Sequence, residues 1–497
     1  MELKVSSEKW SAGLPVVIIE KSTAEKLGIH TKERISLRKV RKNSTYEKEF
    51  FSIVDIVEKQ ISPNEIILSE EIKNILNIHT GDKVDINLSL PSKSLNFIKE
   101  KLNGKRLTES QMKQIIQDVV NNSLSETEIA LFVSGMYRNG MVFEETISLI
   151  KAILNCGERI SFKGKLVVDK HSIGGVAGNR TTPIVVSICA SQGLIMPKSS
   201  SRAITSAAGT ADVIETLARV DFNINELKKI VKKTNASMIW GGGLELVPAD
   251  SKIITIEKQL NIDPEAQLLA SIMSKKLAVG SKYILIDIPY GKTAKVSKSR
   301  ALNLKEKFER IGKYFHLKLK VVLTDGSQPI GNGIGPALEM IDVLKVLNQD
   351  ESRPKDLEKK ALFLAGEILE MSGKSKKGNG IKLAESVLKS GQAFKKFKEI
   401  ILAQDGKMKD LSRSFKFSKN ILSNKNCKIK EIDNIKISNL AREAGCPSDK
   451  FSGLYIHVKK GDKIKKGDKL ITIYSESKPR LKEAVKFYEQ KNPFVFS

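Results

Sequence analysis

Between positions 169 and 182 the chain reads Asp-Lys-His-Ser-Ile-Gly-Gly-Val-Ala-Gly-Asn-Arg-Thr-Thr. Lys170 supplies a point charge, and Ser172, Thr181 and Thr182 supply hydroxyl donors. Gly174, Gly175 and Gly178 let backbone N–H groups approach a ligand closely. What these residue types do together is hold an oxyanion. Any turn can carry glycines, so the weight of that reading rests on a lysine and three hydroxyls gathered at one point. A second donor-rich stretch spans 197–210, where Lys198 and Arg202 punctuate Ser199, Ser200, Ser201, Thr205, Ser206 and Thr210. Serine-rich loops also arise because serine suits turns, but the two cations fit a second wall around a phosphate or sugar phosphate. Asp263 stands just before Pro264, at the head of a helical run over 264–276. It is a natural N-cap there and equally a candidate carboxylic acid. Ser271 and Lys275, four apart, share a face of that helix.

The elements that must carry these groups follow from apolar spacing. The run at 166–168 predicts a buried strand, and a helical stretch opens near Pro183. A strand, a glycine turn and a helix start together aim N–H groups at an anion. Beyond residue 163, strand-like runs at 284–288 and 317–323 alternate with helical ones, the signature of an α/β core. From 95 to about 155 the apolar spacing is helical. Thr108-Glu109-Ser110-Gln111 and Ser125-Glu126-Thr127-Glu128 have capping-box form, which predicts a helical bundle. Residues 1–86 alternate β-rich runs (16–19, 51–57) with brief helices and read as a small mixed or β domain; 91–94 reads as a linker. After a helical, polar interval at 350–407, a Gly-Asp-Lys repeat at 461–463 and 467–469 predicts hairpin turns in a β-rich C-terminal domain. The expected organisation is a multidomain α/β protein: 1–86, a helical domain over 92–160 joined by about 250–280, an α/β domain over 161–410, and a β-rich domain over 411–497.

Bulk properties narrow the function classes. With 40% apolar and 28% charged residues the composition is that of a globular protein. No apolar run approaches the roughly 20 residues that span a bilayer, and the N-terminus lacks a signal-peptide layout. The four cysteines lie far apart without a CxxC pair, so neither a disulfide framework nor a zinc site is expected, and a cytoplasmic setting is. The net charge of +27 is spread rather than gathered in a tail. At 6%, aromatics are not interleaved with it as a nucleic-acid groove requires. A solvated lysine-rich surface that attracts phosphorylated small molecules is the expectation, with neither nucleic acid nor membrane as partner. Gly331-Asn332-Gly333-Ile334-Gly335 has the wrong spacing for a dinucleotide loop. Of the five histidines only His171 sits in a motif.

Taken together, Lys-His-Ser-x-Gly-Gly-Val, Ser-x-Arg-x-x-Thr-x-x-x-Gly-Thr, Leu-Val-Pro-Ala-Asp, Ala-Ser-Ile-Met-Ser-Lys-Lys and Leu-Thr-Asp-Gly-Ser-Gln-Pro-Ile-Gly resemble the thymidine phosphorylase family, and more closely its AMP phosphorylase branch. The match covers roughly 90–497, and that branch also carries an N-terminal extension. The resemblance implies a helical domain facing a larger α/β domain across a cleft, phosphorolysis of an N-glycosidic bond, and at least a dimer. It implies that Lys170, Ser172, Thr182, Ser200 and Thr210 hold the attacking phosphate and that Asp263 is the proton donor. His171, Gly175, Arg180, Ser201, Arg202, Ala203, Ile204, Thr205, Ser206, Ser271, Lys275 and Lys295 would contact the substrate. No metal or organic cofactor is implied; phosphate is a co-substrate. Two departures bear on substrate. Thymidine phosphorylases have Gly-Asp-Lys where this chain has Gly178-Asn179-Arg180, and a base-reading arginine where it has Ile256. Both favour a nucleoside 5′-monophosphate, AMP first, over the alternative, thymidine. Two further alternatives are a magnesium-dependent phosphoribosyltransferase of the same fold and a nucleic-acid-binding protein.

Overall fold

The computed structural model describes residues 1–40, 49–89, 92–162, 166–203, 206–244 and 246–497. They form two compact units, residues 1–157 with 248–271, and residues 158–247 with 272–497.

The first unit opens with six short strands: β1 (Glu2–Val5), β2 (Val16–Glu20), β3 (Arg34–Lys39), β4 (Phe50–Val57), β5 (Glu65–Leu68) and β6 (Lys83–Leu88). They close into a barrel in the order β1-β5-β2-β4-β3-β6, in which β1–β5 and β2–β4 pair in parallel. Side chains alternating inward, among them Leu3, Val5, Val17, Ile19, Ile35, Leu37, Val84 and Ile86, fill its interior. Closure removes the edges that short strands would otherwise expose.

Four helices follow, Ser94–Leu102, Glu109–Val120, Glu126–Asn139 and Phe143–Asn155. Both expected capping boxes form, Thr108 with Gln111 and Ser125 with Glu128. Ser94, expected in the linker, is instead the first helical residue, and its hydroxyl donates to buried Asp118 at 2.6 Å. Pro91 lies outside the described residues. A buried Lys101–Glu145 pair at 2.9 Å fastens the first helix to the fourth. Helix Pro248–Leu260 packs on the second and third, and Lys252 Nζ donates to the terminal carbonyls Val119 O (3.0 Å) and Val120 O (3.1 Å).

The second unit is built on parallel strands. β7 (Val168–Ser172), β10 (Tyr283–Tyr290) and β11 (Lys318–Asp325) form one sheet in the order β11-β10-β7, and β8 (Met196–Ser200) pairs with β9 (Ala236–Trp240). A parallel bridge between Val167 and Ile195 joins the two into β11-β10-β7-β8-β9. The chain runs from β7 outward to β9, then returns to the other side of β7 for β10 and β11. Strand order therefore reverses between β7 and β10, and in such sheets ligands bind beyond the carboxyl ends of the strands at that reversal. Val185, Ile188, Leu194, Met196, Val343, Leu364 and Phe397 lie in the core beneath it.

The remaining strands are β12 (Gly333–Ile334), β13 (Phe417–Leu422), β14 (Cys427–Ile432), β15 (Gly453–Ile456), β16 (Lys463–Ile464), β17 (Lys469–Ser475) and β18 (Phe494–Phe496). They build an antiparallel sheet β12-β15-β17-β13 and a second sheet β16-β14-β18. The Gly-Asp-Lys turns do form, with Asp462 and Asp468 accepting from Lys459 and Lys465 N–H at 2.7 Å. They are not hairpins: β15 pairs with β17, whereas β16 between them pairs with β14. Within residues 331–335, the stretch with the wrong spacing for a dinucleotide loop, Gly333–Ile334 is β12, held by Asp342 accepting from Asn332 N (2.6 Å) and Gly333 N (2.7 Å).

Candidate active site

At the carboxyl end of β7 successive side chains point to opposite faces. On one side lies Lys170, only 1% exposed, with Nζ 2.9 Å from Thr181 Oγ1 and 3.4 Å from Thr182 Oγ1. Burial pushes its ammonium down to about 8, against the opposing pull of Asp287. Ser172 Oγ is buried with no hydrogen-bond partner among the described residues. Asp287, opposite Ser172 in the β7–β10 register, accepts from Thr324 Oγ1 at 2.6 Å and lies 3.2 Å from Lys360 Nζ.

The glycine turn has left-handed backbone at Gly174, Gly175 and Gly178, with φ of 83°, 85° and 69°. At two of them a side chain is also sterically excluded. A Cβ on Gly175 would lie 2.4 Å from Lys295 N, and one on Gly178 would lie 2.3 Å from Ile330 O. The turn is thus pressed against two other backbone segments, and Asn179 N donates to Ile330 O at 2.8 Å. It feeds helix Thr182–Ser191, which carries Pro183 in its first turn and no side-chain cap at Thr181. Its first N–H groups, the buried ammonium, the threonine hydroxyls and Ser172 are donors of the kind that can cradle a polyoxygen anion.

In the second donor-rich stretch the described residues on either side of 204–205 meet on one carboxylate. Asp212 accepts from Ala203 N and Gly209 N at 2.7 Å each, and Ser206 Oγ donates to Ala208 O at 2.9 Å. Ser200 closes β8 with its hydroxyl on Ile239 O at 3.3 Å, and Ser201 is exposed. Ile204 and Thr205 lie outside the described residues. Arg202 makes a two-pronged pair with Glu215 at 2.7 and 2.8 Å and lies 5.1 Å over the Trp240 ring. Arg180 is turned inward: its guanidinium reaches Glu339, Thr210 Oγ1 and Ala208 O, all at 2.7 Å. Neither arginine is presented as an open cation.

On the opposite side of β7, Asp169 is buried between Lys276 Nζ at 2.7 Å and Lys198 Nζ at 3.3 Å. Burial opposes its ionisation, yet the two lysines outweigh that and hold its carboxyl below the usual range. Burial, then Lys276, Lys198, Lys275 and Lys170, hold the His171 imidazole well below its ordinary range, so it is neutral at pH 7. Lys275 is half-buried one residue before Lys276 on helix Glu265–Ala278.

In the first unit Asp263 is half-buried in the turn leading into that helix. Ser271 Oγ donates to Asp250 Oδ2 at 3.0 Å, and Gln267 Nε2 to Asp250 Oδ1 at 2.9 Å. Asp250 is wholly buried and sets the angle of the Ser271 hydroxyl. Ile256, where the thymidine branch carries arginine, is 2% exposed, a core residue of helix Pro248–Leu260.

Sequence reasoning assigned no role to Asp250, Asp169, Lys276, Asp287, Glu339 or Lys360, and it placed Lys198 in a phosphate wall where the structure pairs it with Asp169. Most of these are buried charges paired across long sequence separations, which no local pattern reveals. Asp169 and Asp250 did lie inside quoted motifs, and that position was the available signal. Among the described residues no group of three or more His, Cys, Asp or Glu could hold a metal ion, and no helix is long and apolar enough to cross a membrane.

Comparison with known proteins agrees with this architecture. Residues 95–157 match the helical bundle domain of the glycosyl transferase family and 164–394 its a/b domain. Residues 428–494 match the pyrimidine nucleoside phosphorylase C-terminal domain. An AMP phosphorylase of Methanococcoides burtonii is 38% identical over all of this chain and 97% of its own length. One from Methanococcus vannielii is 43% identical over 84% of this chain and 83% of its own length. A Legionella pneumophila protein bearing a provisional thymidine phosphorylase name is 41% identical over 88% of this chain and 85% of its own. The solved structure of anthranilate phosphoribosyltransferase from Thermus thermophilus superposes with a TM-score of 0.52 at 16% identity, over 62% of this chain and 99% of that one, a likeness of fold. The family models and the relatives together define a pentosyl-transferring enzyme. The chain belongs to the glycosyl transferase family of nucleoside phosphorylases, the branch that unites the AMP and thymidine phosphorylases.

Proposed function

We propose that the enzyme cleaves nucleoside 5′-monophosphates with inorganic phosphate, AMP first, releasing adenine and ribose 1,5-bisphosphate. The observation that carries the phosphorolytic reading is the cradle of Lys170, Ser172, Thr181 and Thr182 at an uncapped helix start. An N-glycosidic bond breaks through an oxocarbenium-like state. A phosphate dianion held beneath the sugar stabilises that charge and then attacks C1′. The departing base needs a proton, and Asp263 is the proposed donor. Ser200 and Thr210 complete the phosphate shell, and Gly175, Ser201, Ser206, Ser271, Lys275 and Lys295 contact the nucleotide.

Support for a 5′-monophosphate comes from full-length relatives named AMP phosphorylase, while buried, apolar Ile256 offers no donor to a pyrimidine carbonyl and bears on the base alone. Arg180, with its donors turned inward, does not support it. The thymidine reading rests on the Legionella relatives. We also propose that no metal or organic cofactor takes part, that the enzyme works in the cytoplasm, and that it is a homodimer or larger assembly.

The test is a panel of AMP, CMP, UMP, adenosine and thymidine with and without phosphate, reading base release. Phosphate-dependent adenine release from AMP at least about tenfold faster than thymine release from thymidine is expected. Equal rates would return the thymidine reading. Loss of activity in a metal chelator would favour a phosphoribosyltransferase.

A further inference from the structure

Thr210 and Arg180 are thirty positions apart, yet the Arg180 Nη1 donates to Thr210 Oγ1 at 2.7 Å, and Thr210 is 9% exposed. A hydroxyl has one proton and two lone pairs. With a lone pair already occupied by a guanidinium N–H, the Thr210 proton is directed away from Arg180 and is polarised by the positive charge behind it. Lys170 treats Thr181 and Thr182 in the same way. The Arg180 Nη2 donates to Ala208 O at 2.7 Å, which fixes the backbone two residues before Thr210. What fixes Arg180 is Glu339, 2% exposed, whose Oε2 accepts from Nε at 2.7 Å while its Oε1 accepts from Gly335 N at 3.0 Å. Three chain segments far apart in sequence thus meet on one ion pair.

We propose that the Arg180–Glu339 pair is a positioning device for the attacking phosphate, acting through Thr210: it aims the hydroxyl proton of Thr210 at inorganic phosphate and does not itself contact the nucleotide. The inference rests on the phosphorolytic reading above for its purpose, but its mechanical content concerns inorganic phosphate alone.

The experiment titrates inorganic phosphate calorimetrically into the full-length protein, comparing wild type, Arg180→Met, Thr210→Val, the double variant and Glu339→Gln. Arg180→Met and Thr210→Val are each expected to weaken phosphate binding by about tenfold or more. The double variant is expected to be no weaker than the worse single one within about threefold, because both changes remove the same contact. In turnover, Arg180→Met raises KM for phosphate and leaves KM for AMP within about threefold. Glu339→Gln keeps an acceptor for Gly335 N–H but loses the charge; it weakens phosphate several-fold and covers the case in which Arg180→Met does not fold. Multiplying penalties in the double variant, unchanged phosphate affinity in Glu339→Gln, or a rise in KM for AMP alone would each overturn the proposal. If no substrate in the panel releases base, the phosphorolytic reading fails, while the calorimetric pattern still decides this one.

Discussion

A lysine buried to 1% exposure beside two threonine hydroxyls keeps its charge at a cost, and Lys170 titrates at about 8 rather than near 10.5. Only its protonated form attracts phosphate. KM expressed per phosphate dianion is therefore expected to be flat below about pH 8 and to rise roughly tenfold per further pH unit, the slope of one lost proton. The value of kcat, which reports the phosphate-bound enzyme, holds to higher pH because the bound dianion favours the ammonium. Lys170→Met should raise that KM by roughly ten- to a hundredfold, as expected for about 1.5–3 kcal/mol of charge-assisted hydrogen bonding. A KM that stays flat up to the ordinary lysine value would mean that burial does not lower Lys170, whereas an unchanged KM in Lys170→Met would remove it from the cradle. Asp263 is tested differently. Asp263→Asn keeps the shape but cannot supply the proton, so kcat on AMP should drop by about 10²–10⁴ with phosphate KM unchanged. Undiminished turnover would exclude it as the acid.

At the scale of elements, local chemistry was legible and distant pairing was not. Strand, glycine turn and helix around Gly174–Gly178 could be read because each step leaves a local mark: an apolar run, residues that tolerate positive φ, and Pro183 in a first helical turn. Both capping boxes were legible for the same reason. The barrel closure, the β16–β14 pairing and the inward turn of Arg180 toward Glu339, 159 positions away, depend on contacts that no window of sequence contains. Asp169 shows what such a contact does. It is sealed with Lys198 and Lys276 and so ties β7, β8 and helix Glu265–Ala278 into one support behind the cradle. Asp169→Asn leaves two buried cations without their counter-charge and should cost about 3–5 kcal/mol, read as a lower midpoint in denaturant. Its carboxyl lies below the usual range when folded. The stability it contributes is therefore present above the unfolded value of about 3.9 and is lost as pH falls through the depressed folded one. The variant should show a shallower acid-induced loss of stability than wild type; an equal slope would mean the pair carries none of it.

For the whole molecule the unabsorbed fact is the charge of +27. Self-repulsion on that scale works against the compact state, so a field this strong invites a function, and the proposed chemistry offers one. Both proposed substrates, AMP and phosphate, and the bisphosphate product are multiply anionic, whereas the released base is neutral. A diffuse positive field draws the anions in and acts equally on the product, so it speeds capture without deciding the chemical step. Bulk salt screens such a field over about 10 Å at roughly 0.1 M, while the buried Lys170 contact is screened far less. Raising a monovalent salt of weakly binding anions from about 10 to 200 mM should then lower kcat/KM for AMP on the order of tenfold, with kcat changed little. Adenosine, which carries no charge, serves as the internal control at saturating phosphate. Its kcat/KM should be nearly insensitive to salt if the field acts on the 5′-phosphate. Equal sensitivity for the two would show that salt acts on something other than the 5′-phosphate and leave the surface charge without a part in its capture.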